Sequence, residues 1–166
     1  MGVLIIDGYN VIHSWPELIK LKESNLSHAR DKLIEEMVNF RALRGEKVII
    51  VFDAHHFSGS EARREEVAGV EVIYSHQGET ADTAIEKLAG ELVSQGEQVL
   101  VVTADWLEQR LVWGKGALRL SPTGLRRLVY EARKEAESYA RNHDYNPLDA
   151  YLSPFDREIL EKWRRG

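Results

Sequence analysis

Carboxylates stand at the ends of several apolar segments of this sequence. Asp7, Asp53 and Asp105 each follow a different run of apolar, mostly β-branched residues. Glu79 and Asp82, three residues apart, stand where a helical pattern begins. Carboxylates brought together repel one another and raise each other's pKa unless a cation lies among them. The pattern therefore predicts a cation site, provided that the fold brings these residues together.

The composition limits which cation this would be. The chain has no cysteine, so a metal would be held by oxygen or imidazole ligands. Oxygen ligands favour Mg²⁺ or Mn²⁺, which keep several waters and bind through a few carboxylates together with substrate phosphate oxygens. One or two such ions would activate a water for attack on phosphorus, so the expected chemistry is hydrolysis of a phosphate ester.

The apolar runs and the segments between them predict an α/β fold. Runs at 3–6, 48–52, 70–74 and 99–102 are typical of strands buried on both faces, and 117–120 could add a short fifth strand. Apolar residues recur at helical spacing between them, which predicts a mainly parallel sheet of four to five strands flanked by helices. The carboxyl ends of parallel strands meet at one edge, where such folds bind ligands, so the acids should converge there.

The remainder of the chain extends this fold. A long helix is predicted from Ser121-Pro122 to about His143, followed by a turn-rich segment and a short helical tail over 155–163. We expect one domain over 1–143 and a C-terminal extension over 144–166 packed on or beside it. Residues 54–66 lack a clear apolar period and are predicted to form a mobile loop near the site.

Two other folds with acids at strand ends fit less well. A phosphoaspartate receiver expects an adjacent acidic pair after the first strand, and a haloacid-dehalogenase-type phosphatase expects Asp-x-Asp, whereas Asp7 is followed by Gly8 and Tyr9. Asn10 would orient a water or donate to a phosphate oxygen, or would only stabilise a turn. Asp53 and Glu79 remain open as metal ligands or as capping residues.

The motifs Leu4-Ile5-Ile6-Asp7-Gly8-Tyr9-Asn10, Val51-Phe52-Asp53, Glu79-Thr80-Ala81-Asp82 and Val102-Thr103-Ala104-Asp105 resemble those of the YacP-like family of NYN domains. The resemblance covers nearly the whole chain. It implies a PIN-like three-layer fold and divalent-metal-dependent endoribonuclease activity, with Asp7, Asp82 and Asp105 as metal ligands, Asn10 as the amide of the first motif and Asp53 as a further acid. From the acidic pattern we expect Glu79 to assist them at the catalytic centre. It also implies a role in mRNA turnover connected to the ribosome.

RNA is a polyanion, so basic side chains should lie near the acids if RNA is the substrate. The net charge of the whole chain is −5, but the basic residues are unevenly distributed. Residues 1–118 carry 12 basic and 19 acidic side chains, and residues 119–166 carry 10 and 8. Bases could stack on Tyr9, Trp15, Phe57 or Trp106. The basic residues predicted to contact RNA are Arg63, Arg64, Arg110, Lys115, Arg126, Arg127, Arg133 and Lys134, and Arg119 also borders the site.

Other expectations concern membrane association, cellular location and the alternative function. No apolar run is long enough for a membrane span and the N-terminus does not resemble a signal peptide, so we expect no membrane partner and a cytoplasmic location, or the plastid stroma in a plant. The alternative function is a non-catalytic RNA- or ribosome-binding module on the same fold. The sequence does not indicate an oligomeric state.

Overall fold

The computed structural model describes residues 2–54, 63–105, 116–142 and 154–166. The described strands are β1 (Gly2–Asp7), β2 (Lys47–Phe52), β3 (Arg63–Val67), β4 (Val70–Tyr74), β5 (Gln98–Val102) and β6 (Leu118–Leu120). The described helices are α1 (Gly8–Ile12), α2 (Pro16–Ser24), α3 (Leu26–Arg44), α4 (Ala81–Ser94), α5 (Pro122–Asn142) and α6 (Pro154–Arg165). None of these helices is long and apolar enough to cross a membrane.

The strands form one sheet in the order β3-β4-β2-β1-β5-β6. All neighbouring strands are parallel except β3, which pairs antiparallel with β4. The predicted α/β class with a mainly parallel sheet is therefore confirmed, but the sheet has six strands instead of four or five. The extra strand is β3, so the predicted loop over 54–66 is wrong from residue 63 onward, while 55–62 lie outside the described residues.

Helices cover both faces of the sheet, which gives three layers. Leu4 and Ile6 of β1 face one core, to which the helices α1, α2, α3, α5 and α6 contribute. Val3 and Ile5 face the opposite core, which is covered by α4. Because every residue of β1 is buried, this strand forms the centre of the fold.

Short polar contacts fix where the main helices begin. The Asn25 side chain accepts hydrogen bonds from two backbone N–H groups at the start of α3. The Thr80 hydroxyl accepts one from Thr83 at the start of α4, and the Ser121 hydroxyl accepts one from Gly124 at the start of α5. The two helix starts after β4 and β6 are thereby fixed at the carboxyl edge of the sheet.

The C-terminal helix α6 packs against β5 and β6. The Trp163 ring lies over Gly2, where any side chain would collide with it, and its Nε1 donates to the Gln98 carbonyl oxygen at 3.3 Å. Ile159 and Leu160 join the same core as α3 and α5. The boundary placed at residue 143 lies outside the described residues, so the division of the chain stays a prediction.

Candidate active site

Asp7 is a buried carboxylate at the carboxyl end of the central strand. Its side chain is 3% exposed and caps α1 by accepting a hydrogen bond from the Asn10 backbone N–H at 3.4 Å. The pKa of Asp7 is raised from 3.8 to about 7, mainly by burial, with the negative charges of Asp82, Asp53 and Asp105 adding to the rise and the Asn10 hydrogen bond opposing it. The structure thus brings these four aspartates into electrostatic contact.

The topology explains why the four aspartates meet. The chain runs from β1 to β2 and β4 on one side and then returns to β5 on the other side of β1. Asp7 ends β1, Asp53 follows β2 and Asp105 lies just beyond β5, while Asp82 lies in the first turn of α4. Ligands of open α/β sheets bind at this kind of reversal, outside the carboxyl ends of the strands.

Asn10 connects α1 to the loop that carries Asp105. Its Oδ1 accepts a hydrogen bond from the Ala104 backbone N–H at 2.7 Å and another from the Thr103 hydroxyl at 3.3 Å. The same hydroxyl accepts from the Asp105 backbone N–H at 3.1 Å. Because a backbone N–H can only donate, the Asn10 amide oxygen is identified and engaged, so contact of Asn10 with a substrate would come from its Nδ2 group.

Ser75 makes a similar connection on the other side of the cluster, one that we did not predict from the sequence. Its buried hydroxyl accepts a hydrogen bond from the Ala54 backbone N–H at 3.0 Å and donates to the Glu79 carbonyl oxygen at 2.8 Å. It therefore ties the residue after Asp53 to the turn that precedes α4 and Asp82. A serine directly after an apolar strand was the only sequence signal for this role.

Glu79 is placed differently from the four aspartates. Its carboxylate forms an ion pair with Lys87 of α4, with Oε2 and Nζ 2.9 Å apart. It is not among the charges that act on Asp7. The structure therefore brings Asp7, Asp53, Asp82 and Asp105 together and turns the Glu79 carboxylate toward a lysine.

The donor chemistry of the cluster suits a hard divalent cation. Within the described ranges, no three His, Asp or Glu side chains are close enough to enclose a metal ion on their own. Mg²⁺ does not need three such ligands, because it commonly binds to proteins through one or two carboxylates and keeps several waters. A cation would also offset the repulsion from Asp82, Asp53 and Asp105, which adds to the effect of burial on the pKa of Asp7, so the chemistry of these carboxylates fits such an ion.

A row of three aromatic rings runs along the same edge of the sheet. The ring centroids of Tyr9 and Phe52 are 5.1 Å apart, and those of Phe52 and Tyr74 are 5.6 Å apart. Gly8 is required here, because any side chain at this position would collide with the Phe52 ring. The Tyr9 hydroxyl accepts a hydrogen bond from Arg30 at 3.1 Å, a contact that the sequence did not predict.

Two aromatic residues predicted to stack on bases are buried. Tyr9 is 5% exposed, and burial raises the pKa of its phenol above the usual 10.0. Trp15 is 1% exposed and donates from Nε1 to the Pro122 carbonyl oxygen. Both rings belong to the core of the fold, so base stacking on their faces is ruled out in this conformation. Phe57 and Trp106 lie outside the described residues.

Most of the predicted RNA-binding cations pair with carboxylates. On α5, Arg126 pairs with Glu17 of α2, and Arg133 pairs with Glu36 of α3. Arg127 lies 3.9 Å from Asp156, Arg63 and Arg64 pair with Glu65 and Glu71, and Lys134 lies over the Tyr130 ring. Arg110 and Lys115 lie outside the described residues.

A further cation lies beside the Asp105 loop. The Nε of Arg119 on β6 donates to the Thr103 carbonyl oxygen at 3.0 Å. Burial lowers the pKa of its guanidinium, and the charge of Asp156 opposes that effect. Arg119 therefore helps to hold the segment that positions Asp105.

The whole chain is similar to known proteins. A family model described as YacP-like NYN domain matches residues 4–165. The uncharacterized protein YacP of Bacillus subtilis is 40% identical over 169 residues, covering 100% of this chain and 98% of the relative. The crystal structure of Rae1 (YacP) from Bacillus subtilis matches with a TM-score of 0.73 at 40% identity, over 100% of this chain and 96% of that one. A crystal structure of its single-residue variant gives the same TM-score at 35% identity, over 98% and 99%.

Proposed function

This chain belongs to the YacP-like NYN domain family, a family of nuclease-type domains, and from that premise we propose that it is a divalent-metal-dependent endoribonuclease. The observation that carries the proposal is the buried carboxylate of Asp7, surrounded by the charges of Asp53, Asp82 and Asp105 at the reversal of strand order. Keeping four carboxylates in one crevice costs stability, and a cation-dependent reaction on a polyanion accounts for that cost.

The proposed role of each side chain follows from its position in the site. Asp7, Asp82 and Asp105 would hold Mg²⁺ or Mn²⁺, one or two of them directly and the others through waters that the ion keeps, and Asp53 would add negative charge next to them. The bound ion would supply activation of water and neutralisation of charge on the scissile phosphate. Asn10 fixes the Asp105 loop and Ser75 fixes the Asp53 segment, so the carboxylates keep their geometry as the substrate enters. Attack by water would leave 5′-phosphate and 3′-hydroxyl ends.

For the substrate, we propose mRNA delivered during translation in the cytoplasm. The net charge of −5 opposes tight binding to free RNA. The carboxylates of Glu17 and Glu36 neutralise two arginines of the basic face of α5, Arg126 and Arg133. A ribosome that presents the RNA strand would compensate for this weak intrinsic attraction.

The test is cleavage of a labelled single-stranded RNA, free and in a stalled translation complex, with Mn²⁺ or with EDTA. Wild type should cleave only with the metal, and faster in the ribosomal complex. Asp82→Asn should abolish cleavage and leave RNA affinity within about threefold, because the substitution keeps the shape of the side chain. Products with 2′,3′-cyclic phosphate ends would contradict hydrolysis by water.

The same assay distinguishes the endoribonuclease from the alternative function, a non-catalytic binding module. Binding of RNA or ribosomes without cleavage in either substrate would contradict the proposal and support a non-catalytic binding module. Equal cleavage by wild type and Asp82→Asn would also contradict it, because the activity would then arise elsewhere or from a contaminant.

A further inference from the structure

A groove lies between α5 and the helices α2 and α3. It encloses about 710 Å³, and its lining includes the buried residues Trp15 and Val129. The Trp15 Nε1 donates to the Pro122 carbonyl oxygen at 2.8 Å, which joins the start of α2 to the start of α5. Because α5 begins directly after β6, its first turn, whose Thr123 lines the groove, lies at the carboxyl edge of the sheet, as the four aspartates do.

The wall that α5 contributes to this groove carries a tyrosine between two arginines. Arg126, Tyr130 and Arg133 follow one another at spacings of four and three residues, so they share one helical face over two turns, about 10 Å. The Tyr130 side chain is 54% exposed, and the Lys134 ammonium lies 5.2 Å from the centre of its ring. Exposed rings flanked by cations are typical of surfaces that bind single-stranded nucleic acids.

Both arginines are paired with glutamates that also line the groove. Arg126 donates from Nε and Nη2 to the two carboxylate oxygens of Glu17 on α2. Arg133 donates from Nη2 to the Glu36 carboxylate on α3. Each of the two arginine side chains is 51% exposed, and ion pairs this exposed contribute little to stability because water competes for both partners.

A phosphate would replace either glutamate at small cost. Arg126 already presents its planar guanidinium to two carboxylate oxygens, and a phosphate offers the same pattern of acceptors. Glu17 is exposed, so water would hydrate its carboxylate after the exchange. Glu36 would keep its contact with the Lys32 ammonium at 3.5 Å and would therefore retain a partner.

We propose that this groove binds the single RNA strand that leads to the cleavage site, with Arg126 and Arg133 exchanging their glutamates for backbone phosphates and with a base stacked on Tyr130. The inference rests on the proposed endoribonuclease function and adds a substrate-binding surface to it. Glu17 and Glu36 compete with RNA for the two arginines and keep the affinity for RNA low. A ring between two arginines matches a base between two phosphates, which favours RNA over an acidic protein segment.

The test measures binding and cleavage separately. Affinity for a fluorescent single-stranded RNA is measured by anisotropy in EDTA over a range of salt concentrations, and cleavage kinetics are measured in Mn²⁺. The glutamate pair is Glu17→Gln with Glu36→Gln, the arginine pair is Arg126→Gln with Arg133→Gln, and the ring is tested by Tyr130→Ala against Tyr130→Phe. The matched control for the glutamate pair is Glu23→Gln with Glu35→Gln, which removes the same charge from the same two helices at exposed positions that do not line the groove.

The glutamate pair should bind RNA about fivefold more tightly than wild type, because it removes the competitors for both arginines, and the control pair should bind within about twofold of wild type. The arginine pair should weaken binding about tenfold, reduce the log–log salt slope by roughly 1.4, and raise KM more than it lowers kcat. Tyr130→Ala should weaken binding about tenfold with an unchanged salt slope, because stacking involves no charge, and Tyr130→Phe should bind like wild type.

An equal gain of affinity in the glutamate pair and in the control pair would overturn the inference, because net charge alone would then explain the gain. Unchanged RNA affinity in the arginine pair together with weaker association with ribosomes would also overturn it and assign the groove to a protein partner. If the paired variants do not fold, equal affinity of Tyr130→Ala and Tyr130→Phe would overturn it.

The two proposals fail in different ways. Cleavage by wild type with unchanged RNA affinity in every groove variant would uphold the endoribonuclease and overturn the groove. Binding that depends on the arginines and on Tyr130, without cleavage by wild type, would refute the endoribonuclease and still support the groove.

Discussion

The Oδ1 of Asn10 lies 2.7 Å from the backbone nitrogen of Ala104, although the two residues are 94 positions apart in the sequence. This hydrogen bond joins the first turn after β1 to the loop after β5. The carboxylates of Asp7 and Asp105 lie on the two segments that it joins. Their relative position therefore depends on one amide side chain that holds no charge.

Removing this amide should disturb catalysis more than stability. Asn10→Ala should lower the cleavage rate by about 10- to 100-fold, because Asp105 loses its fixed position, and cost about 1–2 kcal/mol of unfolding free energy. Asn25→Ala is the matched control, since it removes the cap of α3 at a cost of about 1 kcal/mol away from the site. Single-turnover cleavage and urea denaturation measure both effects. Equal rates in the two variants would refute the role of Asn10.

The raised pKa of Asp7 makes stability depend on pH. Between the usual value of 3.8 and the native value of about 7, the native state keeps a proton that the unfolded chain has released. The free energy of unfolding should therefore fall as the pH rises through this window and level off above it. In EDTA, Asp7→Asn should be more stable than wild type at pH 8, by at most about 4 kcal/mol, and should lose most of that advantage toward pH 4.

Urea denaturation across this pH range measures the difference. Asp31→Asn, at an exposed position of α3, should show no such pH-dependent gain. Mn²⁺ should stabilise wild type more than Asp7→Asn at pH 8, because a ligand of the native state shifts the unfolding equilibrium. An Asp7→Asn variant that is less stable than wild type at pH 8 in EDTA would contradict the assigned shift.

Ser75 should matter for both folding and activity. Ser75→Ala leaves the Ala54 N–H and the Glu79 carbonyl without their buried partner, which should cost about 1–3 kcal/mol and slow cleavage by displacing Asp53. Ser94→Ala removes an exposed hydroxyl that donates to the Glu91 carbonyl and should change stability by less than about 0.5 kcal/mol. Thermal melts and cleavage rates of the two variants provide the comparison. Wild-type stability and cleavage rate in Ser75→Ala would show that the hydrogen bonds of Ser75 to Ala54 and Glu79 are dispensable.

The features predicted correctly from the sequence depend on local patterns. The strands β1, β2, β4 and β5 appear as buried apolar runs, and parallel pairing then brings the acids that follow them to one edge. The edge strand β3 was missed because its residues, Arg63 to Val67, are mostly charged and exposed, as is common where a strand pairs on one side only.

The contacts that were missed join residues far apart in the chain. Arg30 meets Tyr9, Ser75 meets Ala54, and Glu17 meets Arg126 across 109 positions. Such pairs have no spacing that a helix or strand period would show. The same reason explains Glu79, because the sequence placed its carboxylate near Asp82 but did not reveal that Lys87 would bind it.

The role of the four aspartates in catalysis is best tested by the single-turnover rate of RNA cleavage in Mn²⁺ for Asp7→Asn and Glu79→Gln. The four aspartates form the proposed catalytic cluster, and Glu79 is paired with Lys87. We predict a loss of about 10³-fold or more for Asp7→Asn and a rate within about threefold of wild type for Glu79→Gln. A large loss in Glu79→Gln together with a retained rate in Asp7→Asn would contradict it.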